Sequence, residues 1–189
     1  MSDPVEPMLI IISGMPGSGK STLARALADT NHWPLLSRDE IYGGLFHTVS
    51  NDQSQPQDLA QVANEAIATC AHTLLKAGVS IVVEAAFQHK LWVTLLDSLL
   101  PLADSRIIRC VIEPELALQR MVRRLERFPA PRAAHHDAQY IHERIDPARR
   151  PQPFEPLSIE RPTLDVETTV GYLPDLDVVI RFCCTRSSA

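Results

Sequence analysis

The chain has 189 residues, 45% of them hydrophobic and 22% charged, which predicts a single globular domain over residues 1–189 and excludes a disordered chain. The net charge of −5 argues against general binding to long duplex nucleic acid, although a short strand could still enter a locally basic cleft. No apolar run reaches the roughly 18 residues of a membrane helix, and no basic segment precedes the first run, so we expect a cytoplasmic protein without a secretory signal.

Apolar strands alternate with amphipathic helices along the chain. The predicted strands are residues 8–12, 33–36, 79–83, 106–112 and 163–169. The predicted helices are residues 22–28, 59–78, 91–100, 114–127 and 175–182. Residues 47–58 are polar and predict a loop. Such alternation is typical of a parallel sheet covered by helices on both faces, so the predicted fold class is an α/β sandwich.

The segment Gly14–Ser21 has the sequence GMPGSGKS, which fits the pattern GxxxxGK[ST] directly between the first strand and the first helix. Glycines let successive N–H groups point inward, and the helix N-terminus adds positive charge, so this segment predicts a phosphate cradle. Lys20 would reach the β- and γ-phosphates, and the Ser21 hydroxyl would hold Mg²⁺. The predicted nucleotide-binding residues are Gly14, Pro16, Gly17, Ser18, Gly19, Lys20, Ser21 and Thr22.

With this motif in this context, the sequence resembles the P-loop kinases, which are AAA family ATPase-like proteins. Within them it is similar to the group that contains polynucleotide 5′-hydroxyl kinases, zeta-toxin-type kinases, chloramphenicol phosphotransferase and gluconate kinase. The resemblance extends over residues 8–182 and implies a P-loop NTPase three-layer sandwich, with a five-stranded parallel sheet and a helical lid. It also implies ATP as the phosphate donor together with Mg²⁺, with GTP as an open alternative. The resemblance places the purine near residues 163–169 and assigns no contact within that stretch.

The sequence Ser-Arg-Asp at residues 37–39 follows the second strand, at the sheet edge where ligands of α/β proteins bind. A carboxylate there can accept the proton of an attacking hydroxyl. An Arg-Asp pair occupies this place in 5′-hydroxyl kinases, so the resemblance implies that Asp39 orients the acceptor; the alternative is a helix N-cap. Polynucleotide kinases carry an arginine three residues later, whereas this chain has Tyr42, which favours a small-molecule acceptor.

Glu84 ends the third predicted strand, and an acid after an apolar strand is typical of the Walker B pattern. It would fix Mg²⁺ directly or through water. Two alternatives stay open: this carboxylate could contact the acceptor, or it could simply be exposed at a strand end.

Four arginines recur at helical spacing, so they share one outward face of the helix over residues 114–127. These are Arg120, Arg123, Arg124 and Arg127. They indicate either a solvated basic face or bidentate recognition of phosphate. In P-loop kinases the equivalent helix leads into the lid, placed here at residues 120–150. By this resemblance the arginines that neutralise the transferring phosphoryl group are Arg120, Arg124 and Arg127, with Arg132 as an additional candidate.

His135, His136 and Asp137 lie within this arginine- and proline-rich region. Their spacing is too close for a clean tetrahedral zinc site, so a lid tip or an acceptor contact is favoured over a metal. The four cysteines show no CxxC spacing, which favours reduced thiols over zinc or a disulfide framework.

Together these residues predict an ATP-dependent kinase that transfers the γ-phosphate to a hydroxyl of a small molecule. Two alternatives are a polynucleotide 5′-hydroxyl kinase, acting on a nucleic-acid 5′ end, and a non-enzymatic ATP-binding switch protein. The sequence assigns neither the identity of the acceptor nor the oligomeric state.

Overall fold

The computed structural model describes residues 6–49, 56–87, 89–127, 141 and 154–185. Their core is a sheet of five parallel strands in the order β2-β3-β1-β4-β5. The strands are β1 Met8–Gly14, β2 Leu35–Ser37, β3 Ile81–Glu84, β4 Asp104–Val111 and β5 Thr163–Glu167. The α/β sandwich predicted from the sequence is confirmed.

Six helices connect the strands among the described residues. They are α1 Lys20–Asn31, α2 Arg38–Val49, α3 Pro56–Lys76, α4 His89–Asp97, α5 Pro114–Arg127 and α6 Leu176–Cys184, with a short 3-10 turn at Leu100–Leu102. Two helix termini have clear local causes. Gly78, with a φ of 79°, follows the end of α3, and the Asp175 carboxylate caps α6 by accepting from the Val178 N–H at 2.9 Å.

Helices cover both faces of the sheet. Successive β1 side chains point to opposite sides, so each face receives alternate residues of this strand. Ile10 and Ile12 pack with α1 and α6, whereas Leu9 and Ile11 pack with α3 and α4. All four of these side chains are fully buried. A fully apolar central strand is what a sheet covered on both faces requires.

The strand register determines which carboxyl ends meet. Glu84, the last residue of β3, lies opposite Ile12 of β1 on one side and Ser37 of β2 on the other. Gly14, the last residue of β1, lies opposite Cys110 of β4. The loop that follows β1 therefore begins at the centre of the sheet, beside the ends of β3 and β4.

The loop predicted at residues 47–58 is wrong at both ends. Helix α2, which the sequence pattern did not delimit, continues to Val49, and α3 begins at Pro56 rather than at residue 59. Gly43 and Gly44 interrupt the apolar spacing of α2, so its periodicity is weak, and proline is well tolerated in the first turn of a helix.

Part of the predicted lid region lies outside the described residues, including Arg132 and the segment His135–Asp137. Within the described ranges, none of the helices combines the length and the apolar character needed to cross a membrane.

Candidate active site

The glycine-rich loop reaches the start of α1 through two residues with positive φ. Gly17 has a φ of 82° and Gly19 a φ of 84°, conformations that favour glycine. The Gly19 carbonyl accepts from the N–H groups of Thr22 and Leu23, both at 3.1 Å, which starts the helix. The N–H groups at the start of a helix have no partner within it. Their position here, at the end of the glycine-rich loop, suits the binding of an anion.

A second reason for glycine at position 17 is the close packing of this loop against α5. A Cβ on Gly17 would lie 2.3 Å from the Ala117 carbonyl oxygen and 3.0 Å from Met121 Cγ. Position 14 is similarly tight, since a Cβ there would lie 2.5 Å from Ser18 Oγ. The loop is therefore wedged between the end of β1 and the first turns of α5.

Glu84 is the centre of a buried polar cluster at the end of β3. Its Oε1 accepts a hydrogen bond from Ser21 Oγ at 3.2 Å, and its Oε2 accepts one from Ser37 Oγ at 2.8 Å. Lys20 Nζ lies 3.5 Å from Glu84 Oε1, and the two residues are 5% and 1% exposed. The alternative that Glu84 is merely an exposed acid at a strand end does not hold, because this carboxylate is buried and bonded.

The pairing of Ser21 with Glu84 fits the ligand chemistry of Mg²⁺. This cation prefers oxygen ligands and usually takes one or two protein carboxylates together with substrate phosphates and waters. Among the described residues, no group of three His, Cys, Asp or Glu side chains gathers into a metal site. One hydroxyl and one carboxylate beside a phosphate cradle match a site that substrate oxygens complete.

A cleft of about 480 Å³ opens beside the cradle, a size typical of small-molecule sites. It is lined by Gly17, Gly19, Lys20, Ser21, Thr22, Arg120, Arg124, Thr168, Gly171 and Tyr172. The structure thus brings most of the predicted nucleotide-binding residues to one cavity. Gly14, Pro16 and Ser18 belong to the same loop without lining the cleft, and Ser18 is fully buried.

The α5 arginines do not form one uniform outward face. Arg123, Arg124 and Arg127 are exposed, as predicted, and of these Arg124 lines the cleft. For Arg120 the outward prediction is wrong, because its side chain is half-buried and Nη2 donates to two backbone carbonyls. Those acceptors are Thr168 at 2.7 Å and Thr169 at 2.9 Å.

Asp39 lies in the first turn of α2, with 59% of its side chain exposed. Arg38 Nη1 lies 3.4 Å from Asp39 Oδ1, and the Arg38 guanidinium stacks over the Tyr42 ring at 5.1 Å. The Arg38 Nε donates to Asn64 Oδ1 of α3 at 3.3 Å. Tyr42 is buried in a small apolar cluster with Leu59 and Ala63, and its ring contacts the Arg38 guanidinium next to the accessible Asp39 carboxylate.

Two titratable groups near the cleft stay neutral at neutral pH. Burial raises the pKa of the Cys110 thiol to about 12, while the nearby Lys20 lowers it and Glu84 raises it. Burial also raises the pKa of Tyr172, with a further contribution from Cys110. The side chains that contact each other at the cradle are Lys20 and Glu84, with Arg120 and Arg124 of α5 lining the cleft beside them.

Three cleft residues and one support were not identified from the sequence as site residues. Thr168, Gly171 and Tyr172 follow the end of β5; the resemblance placed the purine near residues 163–169, which include Thr168, but assigned no contact there. Ser37 supports Glu84, and its position at the end of a strand before Arg-Asp was the available signal. Both sets come from strand ends, so edge position in a parallel sheet is the clue they share.

Comparison with known proteins agrees with this geometry. The model of a family described as an AAA domain matches residues 9–145. A kinase candidate from Chloroflexus aurantiacus j-10-fl has a similar structure, with a TM-score of 0.74 and 26% identity over 94% of this chain and 93% of that one. Curated proteins gave no match.

Two further solved structures share the fold at lower identity. A sugar kinase from Janibacter sp. HTCC2649 has a TM-score of 0.59 and 14% identity, covering 94% of both chains. A chain of the Pnkp1/Rnl/Hen1 RNA repair complex has a TM-score of 0.55 and 24% identity, over 80% of this chain and 50% of that one. These two similarities show the shared fold; the family match and the structure from Chloroflexus aurantiacus confirm the predicted resemblance to P-loop kinases.

Proposed function

Since the chain belongs to the AAA domain family, we propose that it is an ATP-dependent kinase that transfers the γ-phosphate to a hydroxyl of a small molecule. The observation that carries this proposal is the convergence of Lys20, Ser21 and Ser37 on the buried Glu84 carboxylate, beside the cradle. Phosphoryl transfer depends mainly on positioning and on neutralising charge, and this cluster supplies both.

On the donor side, the cradle N–H groups and Lys20 bind the phosphates. Ser21 and Glu84 hold Mg²⁺, which when bound neutralises charge on the phosphate oxygens. Arg124 is the exposed α5 arginine that lines the cleft, so we assign it the role of neutralising the transferring phosphoryl group. Arg127 is a second candidate for that role, one turn further along the same helix.

On the acceptor side, the Asp39 carboxylate takes the proton of the attacking hydroxyl and orients its oxygen toward the γ-phosphate. Its exposure leaves it accessible to an acceptor, and Arg38 holds it from one side. Tyr42 stands where the polynucleotide kinases of the resemblance carry an arginine, which supports a small acceptor over a nucleic-acid end.

The second candidate is a polynucleotide 5′-hydroxyl kinase, which is favoured by the structural similarity to a chain of an RNA repair complex. That function predicts a rate that rises with oligonucleotide length and falls steeply with salt, since phosphate contacts release counterions. A small-molecule kinase predicts weak dependence on both variables.

The test is incubation of the pure protein with γ-labelled ATP or GTP, Mg²⁺ and a panel of hydroxyl acceptors that includes 5′-hydroxyl oligonucleotides. Lys20→Ala and Asp39→Ala run beside the wild type, with Glu40→Ala as the control for a neighbouring exposed acid. Label on a small molecule, lost in the first two variants and kept in the control, supports the proposal. Label on oligonucleotide ends supports the second candidate. Label found as free phosphate alone, with Asp39→Ala unaffected, contradicts both and favours a switch protein.

A further inference from the structure

Thr168 joins three elements at one buried point just after β5. Its Oγ1 lies 2.6 Å from the Ser18 carbonyl oxygen, to which it donates, and 3.2 Å from the Val111 carbonyl oxygen. Its N–H donates to the same Val111 carbonyl at 3.0 Å. Thr168 is only 4% exposed, and these largely buried bonds join the glycine-rich loop, the end of β4 and the end of β5.

Arg120 reaches the same point from α5. Its Nη2 donates to the carbonyls of Thr168 and Thr169, and its Nη1 lies 3.8 Å from the position a Cβ of Gly19 would take. The guanidinium therefore bridges the segment after β5 and the cradle. We call the set of Arg120, Thr168 and their carbonyl partners the clasp.

The segment held by the clasp has a defined shape. Glu167 and Leu173 exchange two backbone hydrogen bonds, at 2.8 and 3.0 Å, which close residues 168–172 into a tight turn. Gly171 within it has a φ of 70°, and Gly171 and Tyr172 line the cleft together with Thr168. This turn forms a wall of the cleft separate from the cradle.

From this geometry we infer that Arg120 and Thr168 are positioning residues for the nucleoside part of the donor. Their hydrogen bonds hold the turn 168–172 beside the cradle, on the cleft that both line. An Arg120 that moved to a phosphate would break both carbonyl bonds and leave acceptors unpaired beside a buried Thr168. The inference rests on the proposed nucleotide site and not on the identity of the acceptor.

The test separates the nucleoside from the phosphates by comparing two ligands. Calorimetry measures the affinity of the full chain for ATP and for inorganic tripolyphosphate, each with Mg²⁺. Arg120→Met and Thr168→Val are expected to weaken ATP binding about tenfold and tripolyphosphate binding less than about twofold. Thr168→Ser keeps the donor and is expected to bind ATP like the wild type. Arg124→Met, on the same helix, is expected to weaken both ligands alike.

A double variant sharpens the result. Because both side chains hold the same turn, Arg120→Met with Thr168→Val is expected to lose little more ATP affinity than the stronger single variant. Fully additive losses overturn the inference. The thermal unfolding midpoint of each variant checks that it is folded, and if Arg120→Met is not, the Thr168→Val and Thr168→Ser pair decides.

Two other outcomes overturn the inference in distinguishable ways. Equal weakening of both ligands by Arg120→Met means that Arg120 contacts phosphate, and wild-type binding of ATP no tighter than tripolyphosphate means that the turn does not contact the nucleoside. Both leave the proposed kinase intact. A wild type that binds neither ligand overturns the inference and the proposed function together.

Discussion

The two sides of the candidate active site differ in how firmly their polar groups are fixed. On the nucleotide side, Lys20 and Glu84 are 5% and 1% exposed, and hydroxyls from α1 and β2 hold the carboxylate. On the acceptor side, the Asp39 side chain is 59% exposed and its neighbour is Arg38, at 3.4 Å. The polar groups of the nucleotide side hold one another in place, whereas the acceptor side presents an accessible carboxylate.

This difference follows from what each half has to recognise. A triphosphate presents the same kind of anionic oxygens in every nucleotide, so a preorganised array of donors binds it at little cost of reorganisation. An acceptor hydroxyl belongs to molecules of many shapes, and the carboxylate proposed to bind it lies on the exposed surface of α2. Variants on the two sides should therefore separate donor binding from phosphoryl transfer.

The largest separation is expected from Asp39→Asn. Loss of the general base should lower the rate of transfer by about 10²–10⁴-fold while leaving ATP affinity unchanged. Steady-state kinetics with labelled ATP, together with calorimetry, measures both quantities. Glu40→Gln is the matched control, since this 65% exposed acid pairs with Arg25 on the surface. A parallel loss of ATP affinity in Asp39→Asn would contradict the assignment of this residue to the acceptor side.

Lys20→Met should damage the nucleotide side itself. We expect transfer to fall by about 10²–10³-fold with a clear loss of ATP affinity, because the cation that faces the phosphates is removed. The variant should also unfold at lower temperature, since the buried Glu84 carboxyl loses its contact with the partner cation. Lys76→Met, at the exposed end of α3, is the control for removal of a lysine. Unchanged ATP affinity would contradict the assigned role of the cradle.

A pair of glycine variants tests the rigidity of the nucleotide side without touching its charges. Gly17→Ala should lower the free energy of unfolding by about 2–4 kcal/mol, because the new Cβ meets the Ala117 carbonyl and the backbone has a positive φ. Gly44→Ala, in α2 of the acceptor side, has open space around it and should stabilise the protein by about 0.5–1 kcal/mol. Chemical denaturation measures the free energy of unfolding of both variants, and equal effects would contradict the difference in rigidity between the two sides.

The last prediction concerns pH. Cys110, near the cleft, and Cys183, in α6, are both buried, and burial raises the pKa of each thiol from 9.0 to about 12. Their contribution to stability is complete below pH 9 and is lost as the pH rises toward 12. At pH 10 we expect a loss on the order of 1 kcal/mol for each thiol.

The measurement for this prediction is denaturant unfolding at pH 8 and pH 10. The double variant Cys110→Ala, Cys183→Ala should lose less stability between the two values than the wild type does. Cys70→Ala, which alters an exposed thiol of α3, should behave like the wild type. An identical pH dependence in all three proteins would mean that other groups control alkaline unfolding.

The sequence predicted the sheet and the cradle because their signals are local. An apolar strand, a glycine-rich loop and a helix in direct succession fix the positions of Lys20 and Ser21 relative to one another. Helix α2 was not delimited because Gly43 and Gly44 weaken its apolar pattern, so its stability depends on contacts with α3, such as Tyr42 against Ala63.

The role of Arg120 could not have been predicted in the same way. Its hydrogen-bond acceptors lie 48 and 49 residues further along the chain, and they are backbone carbonyls, which have no residue signature. Equal spacing on one helix face made the α5 arginines look equivalent. Arg120 differs from Arg124 because it hydrogen-bonds to the segment that follows β5. Such a tertiary contact cannot be read from the spacing of residues on one helix.

The 3.5 Å contact between Lys20 and Glu84 has a consequence for the order of events at the site. In the proposed kinase, a phosphate that attracted Lys20 would draw it away from the buried Glu84 carboxylate, and Ser21 and Glu84 would then hold a divalent cation in its place. Nucleotide and Mg²⁺ affinities would therefore be thermodynamically linked. Each ligand should tighten the binding of the other by the same factor. Measuring nucleotide affinity with and without Mg²⁺, and Mg²⁺ affinity with and without nucleotide, would give this coupling free energy.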